Sequence, residues 1–205
     1  MTTYATLQEV KDQASMADAV DDAVLSRILE SASRAVDTYC ERRFFTAGTE
    51  TRLYVADSAL IIDIDDVAGT ALTLRTSSSS DGVFDTTWTD NDVQCEPLNR
   101  QASGMTFPVN RLRAVGDYLF PQPYGRTTYR GRANVQVTAV FGFGTAVPAA
   151  VTEATILLIS RLFSRRNSPQ GIVGWGDMGA VRVTQSDPDV RFLLSSYRRY
   201  PVASA

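Results

Sequence analysis

The side chains that most often perform catalysis are scarce in this sequence of 205 residues. Histidine is absent, which excludes Ser-His-Asp and Cys-His nucleophiles and removes the commonest zinc ligand. The two cysteines, Cys40 and Cys95, are far apart and form no Cys-x-x-Cys motif. We therefore predict no catalytic residues and no disulfide, with both thiols reduced, which fits a cytoplasmic site of synthesis.

The densest carboxylate cluster is formed by Asp63, Asp65 and Asp66. Hard cations such as Ca²⁺ and Mg²⁺ prefer oxygen ligands of this kind. The cluster lacks the spacing of a calcium-binding loop and has no glutamate to close it, so the sequence predicts a polar strand end instead. We expect no bound metal and no cofactor.

Four glycines between residues 168 and 186 suggest a loop that could cradle a phosphate group through its backbone amides. No lysine follows them, and the strand-loop-helix context of a phosphate-binding motif is missing. The segment is therefore predicted to be a connector, with a short strand near 180–184. Trp175 within it is either a structural residue or an anchor at a protein interface.

A second cluster combines arginine with aromatic residues: Arg126, Arg130 and Arg132 alternate with Tyr124 and Tyr129. Such side chains can clamp phosphates and stack on bases. The net charge of −3 and the isoelectric point of about 5.0 argue against strong DNA binding. From these residues we predict only that the loop touches DNA or a partner protein.

Charge is distributed unevenly, because acidic residues dominate the first half of the chain and the second half is mildly basic. This asymmetry indicates either ordinary solvated faces or a molecule with a different neighbour at each end. The first ten residues do not resemble a signal peptide. The longest aliphatic run, 156–159, is far shorter than the ~20 apolar residues of a membrane span, so no membrane association is expected.

Helices are predicted at both ends of the chain. Thr6 and Glu9 have the spacing of a capping box, which predicts a helix over 6–13. Apolar residues then recur every three or four positions, which predicts a long amphipathic helix over 18–43 with Ser15 or Asp18 as its cap.

Two further helices are predicted near the C-terminus. One has Pro148 as its first residue and ends near Arg165. The last has Asp187 as its cap and Pro188 in its first turn. Its apolar face comprises Val190, Leu193, Leu194 and Tyr197, and its final turn is predicted to contain Arg198 and Arg199.

The central region changes to the period of β-structure. Strands are predicted at 52–55, 60–64, 71–76, 85–95 and 134–140. The predicted fold class is α+β: a helical bundle built from residues 1–49 and 145–205, with an antiparallel β-domain inserted at 50–144.

Three stretches of the sequence carry a family resemblance. The first is the helical opening, which ends in the aromatic and arginine segment AVDTYCERRF at 35–44. The second is VPAAV at 147–151, which leads into a helix, and the third is SDPDVR at 186–191. In this combination the chain resembles the head–tail connector proteins of long-tailed bacteriophages, also called adaptor or head-completion proteins.

The resemblance implies a structural protein of the virion neck. Such proteins form a ring of about twelve copies beneath the portal protein. The ring extends the DNA channel and binds the next neck protein, a stopper or tail terminator. The expected partners are therefore the portal, that next protein, further copies of the chain and passing DNA.

The resemblance also implies that the C-terminal helix faces the portal. The residues assigned to this partner interface are Trp175, Asp187, Val190, Leu193, Leu194, Tyr197, Arg198 and Arg199. The arginine and tyrosine loop, with Arg126, Tyr129, Arg130 and Arg132, is assigned to contacts with DNA or a neighbouring subunit.

Two alternatives remain open from the sequence. The protein could be another neck or tail-completion protein at a different position in the particle. It could instead be a soluble module whose β-domain binds a peptide or sugar through Tyr118, Phe120, Tyr124 and Tyr129.

Overall fold

The computed structural model describes residues 2–46, 48–56, 58–79, 81–101, 104–122, 132–166, 172–176, 179–182 and 187–199, and only the backbone within 172–182. The chain divides into two compact units. The first, the helical unit, comprises Met1–Phe44 and Val147–Ala205, and the second, the β-unit, comprises Phe45–Ala146. The fold is α+β, as predicted from the sequence.

Helix α1 spans Leu7–Gln13 and begins with the predicted capping box. The Thr6 hydroxyl accepts a hydrogen bond from the Glu9 amide at 3.2 Å, and the Glu9 carboxylate accepts one from the Thr6 amide at 2.7 Å. Two amides that a helix start leaves without intrahelical partners are thus satisfied locally. This part of the prediction is confirmed.

Helix α2 spans Asp22–Cys40, so it begins later than predicted. The proposed cap Asp18 lies in a preceding turn, where its carboxylate accepts a hydrogen bond from the Val20 amide at 3.2 Å. This local bond competes with helix initiation, which explains the shorter helix. The buried stripe of α2 comprises Leu25, Leu29, Ala32, Ser33, Val36 and Cys40.

Helix α3 spans Ala149–Arg165, with Pro148 as its N-cap and not as its first residue. Helix α4 spans Pro188–Ser195, and the Asp187 carboxylate accepts a hydrogen bond from the Asp189 amide at 2.9 Å, which confirms the predicted cap. Because α4 ends at Ser195, the prediction that Arg198 and Arg199 form its last turn is wrong. The Arg199 amide instead donates to the Cys40 carbonyl at the end of α2, 2.8 Å away.

The helices of the helical unit pack against one another around an apolar core. The core residues are Ala5, Val10, Leu25, Leu29, Ala32, Ile156 and Ile159. The ring of Phe44 contacts Tyr4 and Tyr197 edge-on, at centroid distances of 5.6 and 6.0 Å. These contacts join the start, the centre and the end of the chain. None of the helices in the described part of the chain is long and apolar enough to span a membrane.

The connector region forms a two-stranded antiparallel sheet, with β7 at Ile172–Gly176 and β8 at Gly179–Arg182. A short strand was predicted at 180–184, whereas β7 was missed because its glycines favour a loop in isolation.

The described residues of the β-unit form six antiparallel strands: β1 (Thr49–Tyr54), β2 (Ile61–Thr76), β3 (Thr86–Thr87), β4 (Val93–Glu96), β5 (Val109–Ala114) and β6 (Val135–Phe141). Five of them follow the order β1-β6-β2-β5-β4, and β3 pairs with the end of β2. The alternating burial of β6 matches its alternating sequence, because successive side chains point to opposite faces. Its buried side chains contribute Val135, Val137, Ala139 and Phe141 to the core.

The sheet corrects three predictions. The strands expected at 60–64 and 71–76 are one continuous strand, β2, whose pairing shifts at irregular positions on either side of Val67. The strand expected at 85–95 is divided between β3 and β4, and β5 was missed. The aspartates of 63–66 therefore lie within a strand and not at its end.

Pairing with arginine explains how the middle of β2 tolerates carboxylates. Asp63 accepts a hydrogen bond from Arg111 of β5 at 2.7 Å, and Asp65 accepts one from Arg52 of β1 at 2.8 Å. Opposite charges on neighbouring strands stabilise a sheet. Asp63 therefore pairs with an arginine of the adjacent strand, and Asp65 pairs with an arginine of the more distant strand β1.

Candidate functional site

One concave surface of the helical unit is a groove of about 430 Å³ formed by three helices. Helix α2 contributes Ala35, Val36 and Tyr39; α3 contributes Leu158, Arg161, Leu162 and Arg165; α4 and its flanks contribute Asp187, Val190, Arg191, Leu194 and Arg198. Segments far apart in the sequence therefore build one surface.

The groove combines an apolar floor with a rim rich in arginine. The floor consists mainly of aliphatic side chains, and Leu162 remains 36% exposed there. Asp187 is the one carboxylate in the lining, and it pairs with Arg161 at 3.3 Å. The guanidinium of Arg198 lies over the Tyr39 ring, 5.5 Å from its centroid.

Two rim arginines, Arg165 and Arg191, have no ion-pair partner among the residues that the structure describes. The groove as a whole is therefore suited to an apolar group that carries negative charge beside it. A non-covalent contact with another macromolecule fits this combination.

The titratable groups near the helix ends serve packing. Burial raises the pKa of the Cys40 thiol to about 11, so the thiol stays protonated and unreactive at neutral pH. The Tyr4 hydroxyl donates a hydrogen bond to Asp37 and accepts one from the Phe44 amide at 3.0 Å. Burial raises the pKa of both Tyr4 and Asp37. This pair fastens the start of the chain to α2.

The structure places the residues assigned to a partner interface in two different environments. Val190, Leu194 and Tyr197 are buried within the helical unit and hold α4 in place. Leu193 and Arg199 are half-buried, whereas Arg198 is exposed on the groove rim. The backbone of Trp175 pairs with Ala180, and its side chain lies outside the described part of the structure.

Two exposed apolar side chains of the helical unit were missed. Phe192 on α4 is 79% exposed, and Val20 in the turn before α2 is 83% exposed. Helical periodicity could have indicated Phe192, because it lies about 200° around the helix from the buried Val190. Val20 falls within the helix predicted over 18–43, whereas α2 begins only at Asp22 and leaves Val20 in the preceding turn.

The arginine and tyrosine loop is described only in part. Arg126, Tyr129 and Arg130 lie outside the described residues. Arg132 lies against Gly82, where an added Cβ would come within 2.9 Å of its side chain. Its part in contacting DNA or a neighbour stays a prediction.

The aromatic residues assigned to a soluble binding module are partly internal. Phe120 is buried and stacks on Trp88 at a centroid distance of 4.7 Å. Tyr118 is exposed and lies 5.2 Å from the same ring, whereas Tyr124 falls outside the described residues. Phe120 therefore belongs to the core of the β-unit.

The sequence model of the family described as "Phage gp6-like head-tail connector protein" matches residues 4–92. The match covers α1 and α2 and extends into the β-unit as far as the residues after β3. The resemblance to head–tail connector proteins that the sequence indicates is thus confirmed. No curated relative matches the sequence.

Solved structures share the fold over nearly the whole chain. A chain in the "Neck of empty GTA particle computed with C6 symmetry" has a TM-score of 0.60 at 17% identity, covering 98% of this chain and 93% of that one. A chain in the "Neck of native GTA particle computed with C12 symmetry" has a TM-score of 0.57 at 17% identity, covering 97% and 91%. GTA denotes gene transfer agent.

Proposed function

We propose that this protein is a structural adaptor subunit in the neck of a tailed-phage-like particle, between capsid and tail. The family match over residues 4–92 carries the proposal. The fold shared with neck proteins of gene transfer agent particles supports it over both units. Its role is to hold neighbouring proteins in register and not to perform chemistry, in keeping with the absence of histidine from the sequence.

The adaptor acts as a homo-oligomeric ring that continues the DNA channel. Neck structures of the gene transfer agent were computed with C6 and C12 symmetry. A closed ring needs two unlike surfaces on each subunit, because every copy contacts its neighbour head to tail. The net charge of −3 suits a channel that lets DNA pass without retaining it.

The ring docks on the portal through the outer face of α4. Phe192 is an exposed aromatic side chain on a helix whose other face is fixed by Val190 and Leu194. Aromatic side chains presented on a rigid support are frequent anchors of protein interfaces. The opposite side of the ring binds the next neck protein, a stopper or tail terminator.

Quantitative mass spectrometry of purified particles tests the proposed location. The chain should be present in a ratio near one to one with the portal protein, as expected for two rings of about twelve copies. Absence from particles that contain the portal would overturn the proposal.

A matched pair of variants tests the portal contact. Phe192→Gln removes the aromatic ring without adding charge, and we expect the ratio of chain to portal to fall about tenfold. Val83→Gln changes an exposed apolar residue of the β-unit and should leave the ratio unchanged. Equal incorporation of both variants would exclude Phe192 as the anchor.

A further inference from the structure

The groove of the helical unit requires an occupant with apolar and acidic character together. Its floor is aliphatic, and Arg165 and Arg191 on its rim are without ion-pair partners in the described part of the chain. A purely apolar occupant would leave these charges uncompensated at its edge, whereas carboxylates beside it would complement them.

The same unit carries a segment with this character. The Val20 turn, residues 18–22, contains Asp18, Asp21 and Asp22 around one exposed aliphatic side chain, Val20. Three carboxylates next to an apolar knob match an apolar groove bordered by arginines.

Ion pairs on both sides fix the position of the Val20 turn. Asp21 pairs with Arg166 at 2.6 Å, and Asp22 pairs with Lys11 at 2.8 Å. The Asp18 carboxylate bonds to the Val20 amide and shapes the turn from within. The side chain of Val20 is thereby presented to solvent in a defined conformation, which reduces the entropy lost on binding.

We propose that the groove of each subunit binds the Val20 turn of the next copy of this chain. Val20 enters the aliphatic floor near Leu162, and the Asp18 carboxylate, which has no ion pair among the described residues, faces the arginine rim. The inference rests on the proposed function, since it supplies the contact by which adaptor subunits form their ring. Knob and groove are different surfaces of one chain, so the contact is head to tail and can close a ring.

Phe192 is a less suitable occupant of the groove, although it is also exposed. It follows Arg191 directly in the sequence, so its insertion would bring a further positive charge to a rim that is already positive. This leaves Phe192 available for a different partner.

Cysteine cross-linking in assembled particles tests the contact. Val20→Cys and Leu162→Cys are combined in a Cys95→Ser background, because Cys40 is buried and Cys95 is half-buried. A short bismaleimide should produce a ladder of covalent oligomers of this chain. Val83→Cys with Leu162→Cys is the matched control, since Val83 is an exposed valine of the β-unit, and it should give no ladder.

The outcomes separate this inference from the proposed function. Particles that contain the chain at the portal ratio but give no ladder overturn the knob-and-groove contact and leave the adaptor role intact. Cross-links from Leu162→Cys to the portal, or to another site of the chain, also overturn it. If particles lack the chain, the adaptor role fails, and the same cross-link in concentrated isolated protein decides whether the contact exists.

A second pair of variants provides an independent measurement. Val20→Gln should weaken association between copies about tenfold, because the apolar knob is lost. Val83→Gln, at an exposed valine of the β-unit, should have little effect. Equal association of the two variants would contradict the proposal, and the exposure of both sites makes misfolding an unsuitable explanation.

Discussion

The helical unit and the β-unit use charged residues differently. In the β-unit, ion pairs join strands of one sheet: Arg111–Asp63 and Arg113–Glu96 join adjacent strands, and Arg52–Asp65 joins β1 to β2. In the helical unit, Arg166–Asp21 and Arg161–Asp187 join helix ends or caps. Two arginines of its groove, Arg165 and Arg191, remain without such a pair among the described residues.

This difference indicates which unit is suited to bind partners. Charges paired across a sheet are already satisfied, so they add little to a new interface. Arginines that border an apolar groove offer unsatisfied charge next to unburied aliphatic surface, and a partner can complement both. The helical unit is therefore the better candidate for protein contacts.

The largest loss of stability is expected from a substitution in the core of the β-unit. Phe141 is fully buried, and the Arg52 guanidinium lies 4.1 Å from its ring centroid. Phe141→Ala should lower the free energy of unfolding by about 3–5 kcal/mol, because it creates a cavity and removes this contact. Urea denaturation measures the change, with the exposed Val83→Ala as control. A loss below about 1 kcal/mol would show that the sheet does not depend on this core.

Two adjacent leucines of α4 distinguish packing from binding in the helical unit. Leu194 is buried and Leu193 is half-buried. Leu194→Ala should lower the free energy of unfolding by about 2–5 kcal/mol, whereas Leu193→Ala should cost about 1 kcal/mol or less. Thermal or urea unfolding of both variants tests this difference. Equal losses would contradict the assignment of Leu194 to the core.

A smaller effect is expected from two tyrosines, the buried Tyr4 of the helical unit and the half-buried Tyr54 of the β-unit. Burial, and then the hydrogen bond to Asp37, raises the pKa of Tyr4 above its usual value of 10.0. The folded state keeps this proton while the unfolded chain releases it, so stability falls as the pH rises above 10. Tyr4→Phe should cost about 1–3 kcal/mol at neutral pH, where it removes the hydrogen bonds to Asp37 and Phe44.

The alkaline slope provides the control for that variant. Tyr4→Phe should make the loss of stability above pH 10 shallower, as measured by urea unfolding at several pH values. Tyr54→Phe should do the same in the β-unit, since burial also raises the pKa of Tyr54. An unchanged slope in both variants would show that neither phenol governs the alkaline stability.

Elements whose ends depend on residues nearby in the sequence were predicted well. Elements that depend on contacts with residues far away in the sequence were not. The capping box at Thr6 and the cap at Asp187 depend on residues two or three positions away, so the sequence contains all the information. Strand β5 alternates arginine with apolar residues and was not predicted. Its arginines are compensated by Asp63 and Glu96, which lie on neighbouring strands.

The candidate site was predicted only in part for the same reason. The C-terminal helix was correctly singled out as an element, but which of its side chains face outward depends on how it packs. Val190, Leu194 and Tyr197 are buried, whereas Phe192, which the sequence interpretation omitted, is exposed.

The sequence by itself determined the absence of histidine-dependent chemistry, the resemblance to connector proteins and the ends of helices that are capped by nearby side chains. Only the tertiary structure decided that residues 35–39, 158–165 and 187–198 form one groove, and that Val20 is exposed outside α2. The physical reason is the separation along the chain of the residues that form each feature. A cap is a hydrogen bond between close neighbours in the chain, whereas a groove exists only after distant helices have packed together.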